Sequence, residues 1–250
     1  MKARSILTLP IVILGLISAS AEQGMAADTV LEQMPAALET TFALSALPPA
    51  LRDNAAVYLL DPATGYHLAR EGSSGLACLV QRTVWEMGDY RNDIYFPLCY
   101  DAAGTATYLK VIMDAAQLRT TGLGPAELKA EVEKRYQDGM YKAPAKAGLS
   151  YMVGPLMRTV GPPDMQVHTM AMPHLMFYAP GVTNEDIGAK PDLADPASLL
   201  NPFIDRQGIA EQSYIIQMIG EAEKAKIVAD EKTLLDELCA YRDILCLHHM

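Results

Sequence analysis

From Ala56 to Tyr100 the chain alternates short β-prone runs with turn sequences, and this punctuation constrains the fold more than any other feature. Ala56-Val57-Tyr58-Leu59-Leu60 is a strand candidate. Asp61-Pro62-Ala63-Thr64-Gly65 is a turn with explicit chemistry: an Asx start, a φ fixed by proline and a glycine free to take positive φ. Tyr66 to Arg70 returns, Glu71-Gly72-Ser73-Ser74-Gly75 turns again, and Leu76 to Trp85 reads as a longer strand. Three runs joined by short turns predict an antiparallel meander. Asp93 to Tyr100 adds a fourth strand, expected at an edge because Pro97 cannot donate to a ladder.

Helical patterns surround this region. Val30, Met34, Ala37, Leu38, Phe42 and Leu44 form an imperfect stripe over 28–46, which Pro48-Pro49 breaks. Thr105 to Arg119 predicts a helix, and Pro125 opens another that runs to about Asp138-Gly139. Within it, Glu131 and Arg135 are spaced for an ion pair on a solvated face. A second β region holds Leu149–Val153 and Met165–Tyr178, Tyr214–Ile219 is a buried-strand candidate, and Glu221–Leu247 reads as helix. The fold class is therefore α+β. An antiparallel sheet is expected from the 56–100 meander plus strands in 149–178 and 213–219, packed by helices near 105–138 and 221–247. Residues 22–250 are expected to form a single domain with a long loop at about 179–205.

Residues 1–21 read as a signal peptide. Lys2 and Arg4 precede an apolar run from Ile6 to Ile17, and Ala19-Ser20-Ala21 is a small-residue cleavage site. Cleavage after Ala21 would leave 229 of the 250 residues, as a soluble periplasmic or extracellular protein. Losing Lys2 and Arg4 removes two positive charges from a formal −10, leaving −12. An acidic surface of this kind disfavours nucleic acid, and no later segment is apolar for long enough to hold the mature form in a membrane.

Export makes disulfides available to the four cysteines. Cys78 and Cys99 lie 21 residues apart within strand-like sequence and are the expected pair. Cys239 and Cys246 would stand about 10 Å apart along an intact helix, too far to bond. They can pair only if the helix ends between them.

The motifs that name a chemistry are absent from the sequence. It holds no P-loop, G-x-G-x-x-G, H-E-x-x-H, C-x-x-C or EF-hand loop, and Gly72-Ser73-Ser74-Gly75 is a turn rather than a nucleophile elbow. The strongest remaining feature is Gln166 to Tyr178. If it is extended, His168, Met170, Met172, His174 and Met176 share one side. Imidazole and thioether are ligands for copper, and these five are the candidate metal residues. Alternate strand residues sit about 6.5–7 Å apart, so only two or three can converge on one ion. Pro173 divides the set into His168/Met170/Met172 and His174/Met176. The competing reading of the methionines is core packing, for which their flexibility suits them.

Gly75 to Arg82, Cys99-Tyr100-Asp101 and Pro173 to Pro180 with Thr183 to Gly188 resemble segments of uncharacterised exported bacterial proteins that carry a similar Pro-His-Leu-Met-Phe-Tyr-Ala-Pro run. The resemblance spans about the middle half of the chain and brings no activity or catalytic residue with it. It implies that the Cys78/Cys99 neighbourhood and the Pro173–Gly188 segment belong to one architectural plan. Three functions follow from the residues. The first is a non-catalytic binding or interaction module. The second is a periplasmic soft-metal binder. The third is a hydrolase-like enzyme with a cleft beside loop 179–205, using His174 or His67 with a nearby Ser, Cys or carboxylate.

Overall fold

The turn at Asp61–Gly65 forms as its sequence dictates. The Ala63 amide donates to Asp61 Oδ1 at 2.7 Å, and Gly65 takes φ +92°. It joins β1 (Ala56–Asp61) to β2 (Gly65–Arg70) in an antiparallel hairpin. In this computed structural model, residues 29–161, 164–192, 194–195 and 197–247 are described. The segment 1–21, expected to be a signal peptide, and the His248-His249 tail lie outside them.

The next turn corrects the meander. Instead of reversing onto β2, the Gly72–Gly75 segment crosses the start of β1, and β3 (Ala77–Gln81) pairs with β1 in parallel. The amides of Ser73 and Ser74 donate to the Asn54 carbonyl at 2.9 and 3.0 Å, and the Ala56 amide donates to the Leu76 carbonyl at 2.8 Å. The crossing is so close that a Cβ on Gly72 would stand 2.2 Å from the Ala56 nitrogen. Only glycine allows it.

β4 (Phe96–Tyr100) runs antiparallel to β3 with Cys99 opposite Cys78. It is an interior strand, which corrects its expected place at an edge. The two cysteine Cα atoms are 4.0 Å apart, the spacing of a pair that exchanges no ladder hydrogen bonds. Two residues on, Pro97 opposite Val80 is of the same kind, so its nitrogen faces away from β3. On that other side the ladder to β5 covers only Cys99 and Tyr100. The missing N–H therefore breaks no ladder bond.

The remaining strands are β5 (Leu149–Met152), β6 (Met157–Gly161), β7 (Gln166–Met170), β8 (His174–Tyr178), β9 (Phe203–Asp205) and β10 (Tyr214–Met218). Eight strands form one sheet in the order β2-β1-β3-β4-β5-β8-β10-β9, antiparallel at every junction but β1–β3. β6 and β7 form a separate two-stranded sheet. The stretch Met165–Tyr178 is thus not one strand: it leaves the small sheet after Met170 and enters the large one at His174. β6 was not foreseen.

Helices cover both faces of the large sheet. They are α1 (Ala36–Ser45), α2 (Ala102–Gly104), α3 (Lys110–Arg119), α4 (Pro125–Gln137), α5 (Glu221–Asp230) and α6 (Lys232–Tyr241). Pro35 precedes α1, so residues 29–35 are not helical, which shortens the helix expected over 28–46. A π turn, Thr105–Leu109, links α2 to α3. Alternation along β3 sorts the two faces. Cys78 and Val80 pack with Phe42 of α1, with Leu47 just beyond it and with Leu234 and Leu238 of α6. Ala77 and Leu79 pack with Leu98, Tyr108, Leu109 and Ile112 on the α3 side. α4 lies outside α3, where Leu128 and Val132 meet Trp85, Val111 and Ala115.

The helix expected over 221–247 is interrupted at Glu231 and stops at Tyr241, after which Arg242 is extended. That break folds Cys246 back onto Cys239, and both cysteine pairs are disulfide-bonded. Among the described residues no helix is long and apolar enough to cross a membrane.

Candidate functional site

On the α3 side of the sheet the apolar packing leaves a cavity of about 500 Å³. Its floor is the sheet: Leu98 and Tyr100 from β4, His174 and Met176 from β8, and Tyr214, Ile216 and Met218 from β10. The π turn and α3 supply Tyr108, Val111 and Ile112, and the β6–β7 hairpin supplies Thr159, Val160, Gly161 and Met165. Leu199, Phe203, Asp205 and Arg206 close it from the end of the long loop and β9. Cavities of about 300–1,000 Å³, mostly apolar with a few polar groups, are the usual size and make-up of small-molecule sites.

The chain's single tryptophan belongs to this wall. Trp85 sits in a short 3-10 turn, Trp85–Met87, closed by Gly88 in the left-handed region at φ +66°. Its ring centroid is 6.0 Å from that of Tyr136 on α4. The Tyr108 ring packs at a tilt 4.4 Å from that of Tyr214 and stacks 6.0 Å from that of Tyr100, and the Tyr100 and Tyr214 hydroxyls are 3.3 Å apart. Burial pushes the Tyr100 phenol up to about 12 and raises that of Tyr214 well above its ordinary value. Both stay protonated at neutral pH and act as donors or apolar surface rather than as bases.

The polar groups gather around Arg206. One guanidinium nitrogen, Nη2, lies 2.8 Å from Glu86 Oε1, and Nη1 donates to Gln212 Oε1 at 2.9 Å. Nε lies 3.7 Å from Asp205 Oδ2. Burial opposes the Arg206 charge, but Glu86 and Asp205 hold its pKa above the ordinary arginine value. The Arg206 backbone sits at φ +53°, a conformation that non-glycine residues seldom adopt. Its carbonyl accepts from Ser213 Oγ at 2.7 Å, which fixes the turn. Glu86 Oε2 is buried without a hydrogen-bond partner among the described residues.

The structure divides the five His/Met candidates. Met176 is buried and Met170 and Met172 are half-buried, all three in the cluster on the α3 side. His174 is also buried, and its Nδ1–H donates to the Met172 carbonyl at 2.8 Å, leaving the Nε2 lone pair. Burial lowers its pKa, against the Met172 carbonyl and Asp205, so the ring is neutral near pH 7. His168 stands apart on β7, half-buried and 2.7 Å from Asp164 Oδ1. Met172, His174 and Met176 therefore line the cavity together, while His168 and Met170 do not. Among the described residues no group of three or more His, Cys, Asp or Glu side chains is placed to hold a metal ion.

Of the partners expected for a catalytic histidine, the cavity wall offers carboxylates, Glu86 and Asp205, alongside His174. All four cysteines are in disulfides, and no serine lines the cavity beside His174 among the described residues. His67 is exposed on edge strand β2 and is not part of the cavity wall. Sequence reasoning missed Trp85, Glu86, Arg206 and Gln212. Their one sequence signal was position, since Arg206 and Gln212 follow the long loop directly.

The fold and the site define an α+β protein with a sheet-floored, largely apolar cavity. Compared with protein-family models, curated proteins and solved structures, the chain matches none.

Proposed function

We propose that this chain is an exported, non-catalytic binding protein whose cavity takes an apolar small molecule. The observation that carries the reading is the cavity of about 500 Å³ walled by aromatic, methionine and aliphatic side chains with one polar cluster. A polar ligand would give up its hydrogen bonds to water against that wall, whereas an apolar body gains roughly 25 cal/mol for each Å² it removes from water. The paired Arg206, neutral His174 and protonated tyrosines supply orientation and no nucleophile. The signal-peptide pattern over 1–21, the two disulfides and the resemblance to exported bacterial proteins support export.

The test is a titration of the disulfide-bonded protein with the neutral fluorophore N-phenyl-1-naphthylamine. Saturable binding at one equivalent is expected, and it should be lost in Met172→Trp, where the larger ring fills the cavity. Absence of saturable binding, or binding unaffected by Met172→Trp, would remove the reading.

A further inference from the structure

We infer that the cavity selects an amphiphile whose head donates a hydrogen bond, such as an alkyl or aryl body ending in a hydroxyl, over one that ends in a carboxylate. This rests on the apolar-ligand reading above and adds the chemistry of the head group. The argument starts from the orphaned oxygen. Glu86 lines the cavity, its Oε1 is held by Arg206 at 2.8 Å, and its Oε2 is buried with no partner among the described residues. Buried carboxylate oxygens rarely go without a donor, and a ligand hydroxyl or amine is the group that would supply one.

The cation beside it is not free to take an anion. Each Arg206 nitrogen faces an acceptor: Nη2 faces Glu86, Nη1 faces Gln212 and Nε faces Asp205. The four cavity-lining residues of this cluster carry two carboxylates, one guanidinium and one amide, a formal excess of one negative charge. Lys129, outside the wall, spends its ammonium on the Glu86 carbonyl at 3.3 Å. A carboxylate head would have to break an existing pair and would meet Glu86 and Asp205, whereas a donor head, once the Glu86 carboxyl turns Oε2 toward the cavity, supplies the hydrogen bond that oxygen lacks and leaves Arg206 paired. The left-handed backbone at Arg206 fits a cluster held in place for this purpose, since such a conformation persists only where its surroundings impose it.

The experiment displaces N-phenyl-1-naphthylamine from the full disulfide-bonded protein with decan-1-ol or with decanoate, at neutral pH. Wild type should prefer decan-1-ol, and in Glu86→Gln, where Arg206 loses the nearer of its two charged partners, the ratio of decan-1-ol to decanoate affinity should fall about tenfold or more. Asp205→Asn, which removes the other negative charge that a carboxylate head would meet, serves should Glu86→Gln not fold, and there the ratio should also fall. If the fluorophore binds but the ratio in the folded variants equals that of wild type, the head-group inference is overturned and the cavity reading survives. If wild type does not bind the fluorophore, both fall.

Discussion

The carboxyl of Glu39 is buried in α1 and accepts a hydrogen bond from the Leu60 backbone amide at 3.0 Å. It ties the helix to β1 through the apolar layer that also holds the Cys78–Cys99 disulfide. Burial raises its pKa to about 7, with the Leu60 amide and Arg82 working against the rise. The folded value lies above the unfolded one. Its contribution is therefore fully present below about pH 4.5 and is lost as pH rises toward 7.

Glu39→Gln keeps the oxygen that Leu60 uses and removes the charge. Urea unfolding should find the variant close to wild type at pH 4.5 and more stable by about 1–3 kcal/mol at pH 8. Equal stabilities at both pH values would show that Glu39 ionises in the fold without cost.

Glu32 has the opposite sign. Its Oε1 accepts from the hydroxyls of Tyr95 and Tyr241, from Arg242 Nη1 at 2.8 Å and from Arg82 Nη2 at 3.3 Å. Burial opposes its charge, but the Tyr95 hydrogen bond and the two arginines outweigh it and lower the pKa. Stability from this hub is present above the unfolded carboxylate value and is lost as pH falls. Glu32→Ala should cost about 1–2 kcal/mol at pH 7, the lower range because the side chain is about a third exposed, and less at pH 3. Hydrogen exchange should then quicken in both α6 and residues 29–35, because the hub joins them.

The two disulfides should differ in weight. Cys78–Cys99 closes the longer loop, with a separation of 21 against 7, and is wholly buried. Replacing Cys78 and Cys99 by alanine should lower stability by about 3 kcal/mol, against about 2 kcal/mol for the Cys239/Cys246 pair. Denaturant midpoints of the two double variants decide the order.

Much of the strand content was legible because turn chemistry is local: Asp61 and Gly65 define their turn within five residues. The α+β class and the Cys78–Cys99 pair followed from it. The order of strands was not legible at Gly72, where the deciding contact is with Asn54 and Ala56 and no local pattern signals a crossing. Pro97 marked an edge by rule, yet it sits inside the sheet because β5 is too short to reach it. The 164–180 stretch put five His and Met residues on one side by alternation, but Pro173 lies at a change of sheet, so His168 and Met170 part from His174 and Met176. The cavity was the least legible part, since Trp85, Tyr108, His174 and Arg206 come together only through tertiary packing. Glu86 and Arg206 are 120 positions apart, and nothing in either neighbourhood announces the other.

The central claim is that this cavity holds an apolar molecule, and Trp85 makes it directly measurable. Because it is the chain's single tryptophan and lines the cavity, all tryptophan emission comes from a side chain that a bound ligand would touch. Titrating the disulfide-bonded protein with N-phenyl-1-naphthylamine should quench Trp85 saturably at one equivalent, as the fluorophore's own emission rises in step. Fluorophore emission that rises without quenching of Trp85, or no change in either signal, would contradict the account.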